Sequence, residues 1–408
     1  NVQIESEDVV NAIRNDGVEG LKIQVTGEND IKVLANVFQL SDNTTISGTG
    51  ILKGEATAND GFGIWLKGTK VPDLVLDGPT FEFKGQVAVG GQGNNDLDFK
   101  AGKLTFEPNS YAKSALKALS SVTFASNLAF TEPEGAYYSN SLKEVTTDGE
   151  TTYSGKVVID GVTPYELVIA GFAVNSANCA DILHNGVFSY DPDANTLTIS
   201  GDCAYGGWIV NSEIEDLTIN VNGNSTLTVT DFNSAIRLRA STTITGGKLT
   251  LKSEATDNDA MGIYISEGDL TIKDADIEVV GDGFEYGITG EDDCSLLIDN
   301  SDVSASAHSE GCFCDWGSIT LSNCYIETPE VSNITSHGIY GADGEIIGSG
   351  DDTETVVIKA GELTGINGVT NGQSSIVNGQ SVYDLNGRKV TTTEKGKVYI
   401  INGRKVKK

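Results

Sequence analysis

Aromatic side chains that recur at one position of a repeated pattern are the residues most suited to chemistry. Each follows a small residue and an apolar one, and the set comprises Trp65, Tyr264, Phe313 and Tyr340. If the apolar residue faces a core, the next side chain faces solvent, because side chains alternate along a strand. Aromatic rings can pack against the apolar C–H faces of sugars, and modest contacts along a row add through multivalency. We therefore predict that these four residues bind a glycan.

The same rings allow a second interpretation, in which they stack on one another and only stiffen a sheet. Arg237 and Thr289 occupy the equivalent position in other repeats, so the row is not purely aromatic. Trp208, directly before Ile209, could extend the same surface or lie at a corner of the chain.

Acidic residues in the loops before these positions are candidates for holding a metal ion. The set is Asp257, Asp259, Asp282 and Glu285, with Asp231 and Glu310 in neighbouring repeats. If the repeats stack, their carboxylates repel each other unless they share a cation, and Ca²⁺ accepts such flexible oxygen ligands. A calcium site is therefore one interpretation. The other is that these loops are simply solvated, as in most strongly acidic chains.

No catalytic residues are predicted. An inverting polysaccharide hydrolase needs converging carboxylates, and the histidines His184, His308 and His337 lie in no recognisable constellation with acids. A calcium-dependent polysaccharide lyase needs a basic residue beside a cation, and Arg237 lies one repeat away from Asp257. Because any solenoid scatters acids and bases over its loops, the sequence favours a non-enzymatic protein, with the lyase as the alternative.

A pattern repeated between Glu215 and Gly341 supplies the elements that must position these residues. Each copy opens with an apolar triplet, and the triplets are centred on Ile219, Ile244, Ile272, Ile298 and Leu321. Alternation within each triplet indicates a half-buried strand. Repeats that hold three short strands and no helix are typical of solenoid turns. The sequence therefore predicts an all-β protein, a parallel β-helix.

The residue two places after each triplet centre supports this fold. Gly246, Asp274, Asn300 and Asn323 occupy that position. A sharp bend between strands needs a left-handed residue, which Gly adopts freely and Asn or Asp tolerate. We expect Asp274, Asn300 and Asn323 to stack in a hydrogen-bonded ladder.

Two modules and a tail are predicted from the course of the pattern. The apolar pattern is interrupted by a polar stretch that ends at Val157-Val158-Ile159, and a second polar stretch ends at Val356-Val357-Ile358. We therefore expect a first β-helical module at 1–160, a second at 161–365 and a tail at 366–408. Ser6 followed by acids, with Gly17 as a stop signal, predicts a short helix that caps the first module.

Two stretches resemble known families. The run YELVIAGFAVNSANCADILHNGVFSYDPDANTLTISG (Tyr165–Gly201), followed by short coils, resembles secreted bacterial right-handed β-helix proteins often described as carbohydrate-binding-domain proteins. That resemblance implies a right-handed helix, export and glycan contact, and it carries no catalytic signature. VYDLNGRKV (Val382–Val390) and KVYIINGRKVKK (Lys397–Lys408) resemble the C-terminal sorting tail of type IX secretion substrates. This second resemblance implies a small β-unit and the outer surface of a Gram-negative cell.

Composition narrows the function further. The net charge of −31 argues against a nucleic-acid partner, because phosphate binding requires a basic face. No apolar run is long enough to span a membrane. The 6 Cys lack C-x-x-C spacing, so small core residues are favoured, and a disulfide such as Cys179–Cys203 stays open. We expect a secreted or surface-exposed monomer that binds polysaccharide, or alternatively an adhesin with a protein partner.

Overall fold

A computed structural model describes most of the chain. The described residues are 2–6, 11–231, 234–254, 260–330, 332–335, 337–349 and 355–361, with strand backbones at 382–383, 389–390, 398–401 and 404–407; the side chain of Asp282 is not included. The chain divides into unit 1 (Asn1–Pro164 with Asn175–Asn178) and unit 2 (Tyr165–Val174 with Cys179–Lys408). Within the described ranges, no helix has the length and apolar character needed to span a lipid bilayer.

Unit 1 is a β-solenoid built on two sheets. Its large sheet contains Gln3–Glu5, Leu21–Val25, Glu28–Val33, Thr44–Gly48, Ile51–Ala56, Leu74–Gly85, Asp96–Pro108, Ser121–Phe124, Leu128–Glu132 and Val157–Gly161. Its small sheet contains Asn11–Asn15, Asn36–Leu40, Phe62–Leu66, Val87–Gly90, Leu116–Lys117, Tyr137–Ser139 and Glu144–Thr146. Successive coils pair in parallel, as Ile46 does with Leu76, and both side chains are fully buried between the sheets.

Unit 2 repeats this architecture. Its large sheet contains Phe188–Asp191, Thr196–Ile199, Cys203–Tyr205, Leu217–Val229, Thr242–Ser253, Asp269–Lys273, Asp276–Val280, Ser295–Asp299, Asp302–Ser306, Ser318–Ser322, Cys324–Thr328 and Thr355–Ala360. Its small sheet contains Pro164–Ile169, Phe172–Asn175, Val210–Ser212, Ile236–Leu238, Met261–Ile265, Tyr286–Thr289 and Gly311–Cys314. The remaining elements are a 3₁₀ turn at Gly281–Gly283, a hairpin of Asn333–Ile334 with Ile339–Tyr340, and short strands at Val382–Tyr383, Lys389–Val390, Val398–Ile401 and Arg404–Lys407.

The predicted rungs of the second unit are confirmed. The parallel pairs link one unbroken row of buried side chains, which runs Ile219, Ile244, Ile272, Ile298 and Leu321. Full burial of one such side chain stabilises the fold by about 1.5–3 kcal/mol. Because each rung contacts only its neighbours, stability accumulates coil by coil, and the predicted all-β solenoid is the fold that this row produces.

The predicted corners are also confirmed. Asp274, Asn300 and Asn323 have φ of 49°, 47° and 51°, in the left-handed region that a sharp bend requires. Asn300 Nδ2 donates to Asp274 Oδ1 at 2.6 Å, as expected for a ladder. Asn323 Nδ2 instead donates to Asp299 Oδ1 at 2.9 Å, so the ladder changes partner at its last step.

Each unit closes its large sheet with an antiparallel strand from much later in the chain. In unit 1, Ile159 pairs with both Leu104 and Phe130. In unit 2, Ile358 pairs with both Val303 and Ile326. The apolar triplets that end the two polar stretches, Val157-Val158-Ile159 and Val356-Val357-Ile358, therefore lie in these closing strands.

The predicted N-terminal capping helix is wrong where the structure describes it. Asn11–Asn15 is a strand that pairs in parallel with Asn36–Leu40, and Ile13 lies opposite Phe38. Glu7–Val10 lies outside the described residues. A helix of this length is marginal by itself, whereas pairing with an existing coil satisfies the backbone and packs Ile13 against the core.

Candidate functional site

Two of the four predicted aromatic residues face outward from a small sheet. In unit 1, the outward column runs Arg14, Gln39, Trp65, Gly90 and Lys117. In unit 2, it runs Asn211, Arg237, Tyr264, Thr289 and Cys314. Trp65 and Tyr264 are both half-buried and lie between inward-facing neighbours. The outward orientation expected for these two residues is thus confirmed.

Phe313 does not face outward, and that prediction is wrong. It pairs with Ile288, which pairs with Ile263, so Phe313 occupies the inward rung and is 0% exposed. Cys312, which the sequence pattern places inward, is buried in the same core cluster, and its backbone N–H donates to Ile347 O at 2.8 Å. A shift of one residue exchanges the two faces of a strand, and two adjacent apolar residues leave that register ambiguous.

Tyr340 lies outside the column. Its strand pairs antiparallel in the hairpin, with Tyr340 opposite Asn333, and it forms a further bridge to Ile346. The expectation that Tyr340 continues the row of outward residues is therefore wrong. Residues 337–347 instead form a cap segment, in which Ile339 and Ile347 are buried.

The Trp65 ring is already engaged by its own neighbours. It stacks on Phe62 with 5.4 Å between ring centroids and 14° between ring planes. Lys67 Nζ lies 4.2 Å from its centroid. This arrangement matches the alternative interpretation, in which the rings stiffen the sheet, and it weakens the case for Trp65 as a ligand platform.

Trp208 presents a more open ring in unit 2. It lies in the loop before Val210–Ser212, is 38% exposed, and has the guanidinium carbon of Arg237 at 4.4 Å from its ring centroid. Among the described residues, Arg237 has no carboxylate within ion-pair distance, whereas Arg239 pairs with Glu213. Only five Arg occur in the sequence. Two of them are close together here, because Arg237 lies in the strand Ile236–Leu238 and Arg239 directly follows that strand.

Tyr264 and Glu291 continue this surface one coil further. The Tyr264 hydroxyl donates to Glu291 Oε1 at 2.6 Å. Burial and then the Glu291 carboxylate raise the pKa of Tyr264 to about 12, so the hydroxyl keeps its proton. Burial and then Arg239 lower the pKa of Arg237. Trp208, Arg237, Tyr264 and Glu291 together are named the platform below.

The platform is bounded on one side. The next two positions of its column, Thr289 and Cys314, are only 2% and 1% exposed. Cys314 bridges to Gly338 of the cap segment, and Thr289 Oγ1 donates to Cys314 O at 3.2 Å. At the other side, Asn211 has a side-chain Oδ1 that is buried without a hydrogen-bond partner in the described structure.

The predicted calcium ligands are largely beyond what the structure describes. Asp257 and Asp259 lie outside the described residues, as does the side chain of Asp282. Glu285 is described, and its N–H donates to Ala260 O at 2.8 Å. Elsewhere in the described chain, no three or more His, Cys, Asp or Glu side chains are grouped to hold a metal ion. The calcium site stays a prediction.

The six cysteines are not paired with one another in this structure. All six are free thiols, so Cys179 and Cys203 form no disulfide. Burial raises the pKa of Cys314 well above its usual range, which keeps that thiol protonated and poorly nucleophilic.

Comparison of the chain with protein-family models, with curated proteins and with solved structures found no match. The chemistry of the platform is therefore the basis on which we assign a function.

Proposed function

We propose that this protein is a non-enzymatic polysaccharide-binding β-solenoid and that the platform of unit 2 holds the glycan. The observation that carries the proposal is the exposed Trp208 ring beside Arg237, a cation without an ion-pair partner among the described residues. In a chain of net charge −31, such a cation is unusual, because acidic side chains are plentiful.

Each platform residue offers a contact that suits a sugar. The indole face of Trp208 can pack against C–H groups, as aromatic rings do with apolar surfaces. Arg237 can donate several hydrogen bonds from its planar guanidinium to hydroxyl or carboxylate oxygens. Tyr264 retains its hydroxyl proton, and Glu291 can accept hydrogen bonds from sugar hydroxyls. Few precisely placed polar groups around an aromatic surface are the usual composition of a ligand site.

A glycan array tests this proposal. The wild-type protein should bind one class of glycan, and Trp208→Ala or Arg237→Ala should weaken binding by about tenfold or more, which corresponds to about 1.4 kcal/mol. Trp65→Ala is the matched control, because its ring is engaged in unit 1, and it should bind like the wild type. Repeating the array with EDTA tests the calcium prediction. If no glycan binds, or if Trp65→Ala alone loses binding, the platform is not the site.

The lyase alternative has one observation in its favour. A lyase needs a basic residue beside the uronate, and Arg237 lies beside the exposed Trp208 ring with no ion-pair partner among the described residues. Incubation with acidic polysaccharides and measurement of ultraviolet absorbance would reveal unsaturated products. Their appearance, with loss in Arg237→Lys, would replace the binding proposal by a lyase, whereas stable absorbance would remove the lyase.

We also propose export to the outer surface of a Gram-negative cell. The repeated N-G-R-K-V of the tail and its resemblance to type IX sorting signals support this proposal. A reporter fused to residues 366–408 should reach the cell surface or medium of a bacterium with a type IX system. Retention of that reporter inside the cell, with normal export of an established substrate, would contradict the proposal.

A further inference from the structure

The platform is open at Trp208 and closed beyond Tyr264, and this asymmetry bears on how a glycan can lie on it. Trp208 lies in the loop that leads into the strand Val210–Ser212, and the strand that contains Tyr264 lies two coils further on. Two coil steps span about 10 Å along the solenoid axis. A ligand that contacts both rings must therefore run along the column of outward residues, across the strands.

A ligand that runs this way meets an obstacle. The column continues with Thr289 and Cys314, which are buried, and Cys314 is joined to Gly338 of the cap segment. A second obstacle is the Tyr264 hydroxyl bond to Glu291, which places a carboxylate at the closed end. A long chain cannot continue straight past this point while it keeps contact with the sheet.

We propose that the platform recognises the end of a glycan chain, or a short oligosaccharide, and not the interior of a long polysaccharide. The terminal sugar lies against Tyr264 and Glu291, and the preceding sugar lies over Arg237 and Trp208. A terminal residue has a hydroxyl that an internal residue uses in its glycosidic bond, and the Glu291 carboxylate accepts a hydrogen bond from it. This inference deepens the proposed function and rests on it.

Fragmentation of one polysaccharide provides the test. The glycan that the array identifies is cut by partial acid hydrolysis into fractions of equal mass concentration but different numbers of ends, and binding is titrated by calorimetry. We expect the amount of protein bound at saturation to rise in proportion to chain ends. Saturation that follows mass and ignores the number of ends would overturn the inference but leave glycan binding intact. Absence of binding in every fraction would overturn the proposed function itself.

Borohydride reduction shows which end is recognised. It opens the ring only at the reducing end, so loss of binding assigns that end and unchanged binding assigns the non-reducing end. Glu291→Ala should weaken binding of short oligosaccharides by about tenfold, because the terminal hydroxyl loses its acceptor. Glu55→Ala in unit 1 is the matched control for removing one carboxylate. Equal affinity of Glu291→Ala and Glu55→Ala for oligosaccharides would contradict the assignment of the closed end to Glu291.

Discussion

The small sheets of the two units present comparable columns, but the aromatic rings beside these columns have different neighbours. In unit 1, Trp65 stacks on Phe62 and Lys117 forms an ion pair with Glu144. In unit 2, Trp208 is exposed and the guanidinium of Arg237 contacts a ring and no described carboxylate. An aromatic residue on an outward column is thus weak evidence for ligand binding. Whether a ligand can contact the ring depends on how much of the ring the neighbouring side chains already cover.

One position explains much of this difference. The neighbour of Trp65 in the next coil is Gly90, and a Cβ there would lie 2.5 Å from Phe62 Cε1, so the ring of Phe62 fills the space above the glycine. The neighbour of Tyr264 in the next coil is Thr289. A side chain at that position leaves no equivalent space for a ring to lie flat beside Tyr264.

The largest expected effect comes from Phe313, which the sequence groups with the outward rings and the structure places in the core. Phe313→Ala should lower the free energy of unfolding of unit 2 by about 3–5 kcal/mol, because a fully buried ring leaves a cavity. Tyr264→Ala should cost less, because that ring is half-exposed. Denaturant unfolding followed by the fluorescence of Trp208 and Trp316, in a Trp65→Phe background, measures both. Similar losses for the two variants would mean that Phe313 is not the inward residue.

The error at Phe313 shows which parts of the fold can be predicted from the sequence and which cannot. The row of Ile272 and its equivalents was predictable, because polar neighbours on either side fix which side chain is inward. At Cys312 and Phe313 two apolar residues adjoin, so pattern alone cannot set the register. Asn11–Asn15 carries local helix signals, but pairing with the next coil outweighs them. Trp208 directly precedes the buried Ile209, so the sequence indicates that Trp208 is near the surface. Its contact with Arg237 could not be predicted, because that contact depends on how successive coils stack.

The next effect tests why the two columns differ. Gly90→Thr should displace the Phe62 ring, lower the free energy of unfolding of unit 1 by about 1–3 kcal/mol, and free the Trp65 ring. Acrylamide quenching of Trp65 fluorescence should rise in a Trp208→Phe background, since Trp316 is fully buried and contributes little. Gln39→Thr, on the other side of Trp65 in the column, is the control and should leave quenching unchanged. Unaltered quenching in Gly90→Thr would show that Phe62 does not cover the indole.

The closing strands of the two units form ion pairs in equivalent positions, but the positive and negative residues are exchanged. In unit 1, Lys103 pairs with Asp160 of the closing strand. In unit 2, Asp302 pairs with Lys359 of the closing strand at 2.9 Å. Both positions directly adjoin the paired apolar residues, Leu104 with Ile159 and Val303 with Ile358. Both units thus place an ion pair at this position, with the two charges exchanged between the strands.

The smallest expected effect follows from this exchange. Lys359→Asp should destabilise unit 2 by about 1 kcal/mol or less, because the pair is more than a third exposed to solvent. Adding Asp302→Lys should restore part of the loss by recreating the unit 1 order. Recovery should be incomplete, since Asp302 Oδ1 also accepts from Ala360 N–H at 2.9 Å and a lysine cannot. Urea unfolding of the single and double variants measures this, and a double variant less stable than Lys359→Asp would contradict it.

The pH dependence of the same pair has a definite sign. Burial raises the pKa of Asp302, but the Ala360 N–H and Lys359 outweigh it and leave the pKa below its usual value of 3.8. A lowered pKa in the folded state means that the carboxylate stabilises unit 2 above the unfolded pKa and that this contribution fades as pH falls through the folded pKa. Asp302→Asn should therefore lower stability near about pH 7 and have little effect near about pH 2. An equal loss at both pH values would show that Asp302 acts through packing and not through its charge.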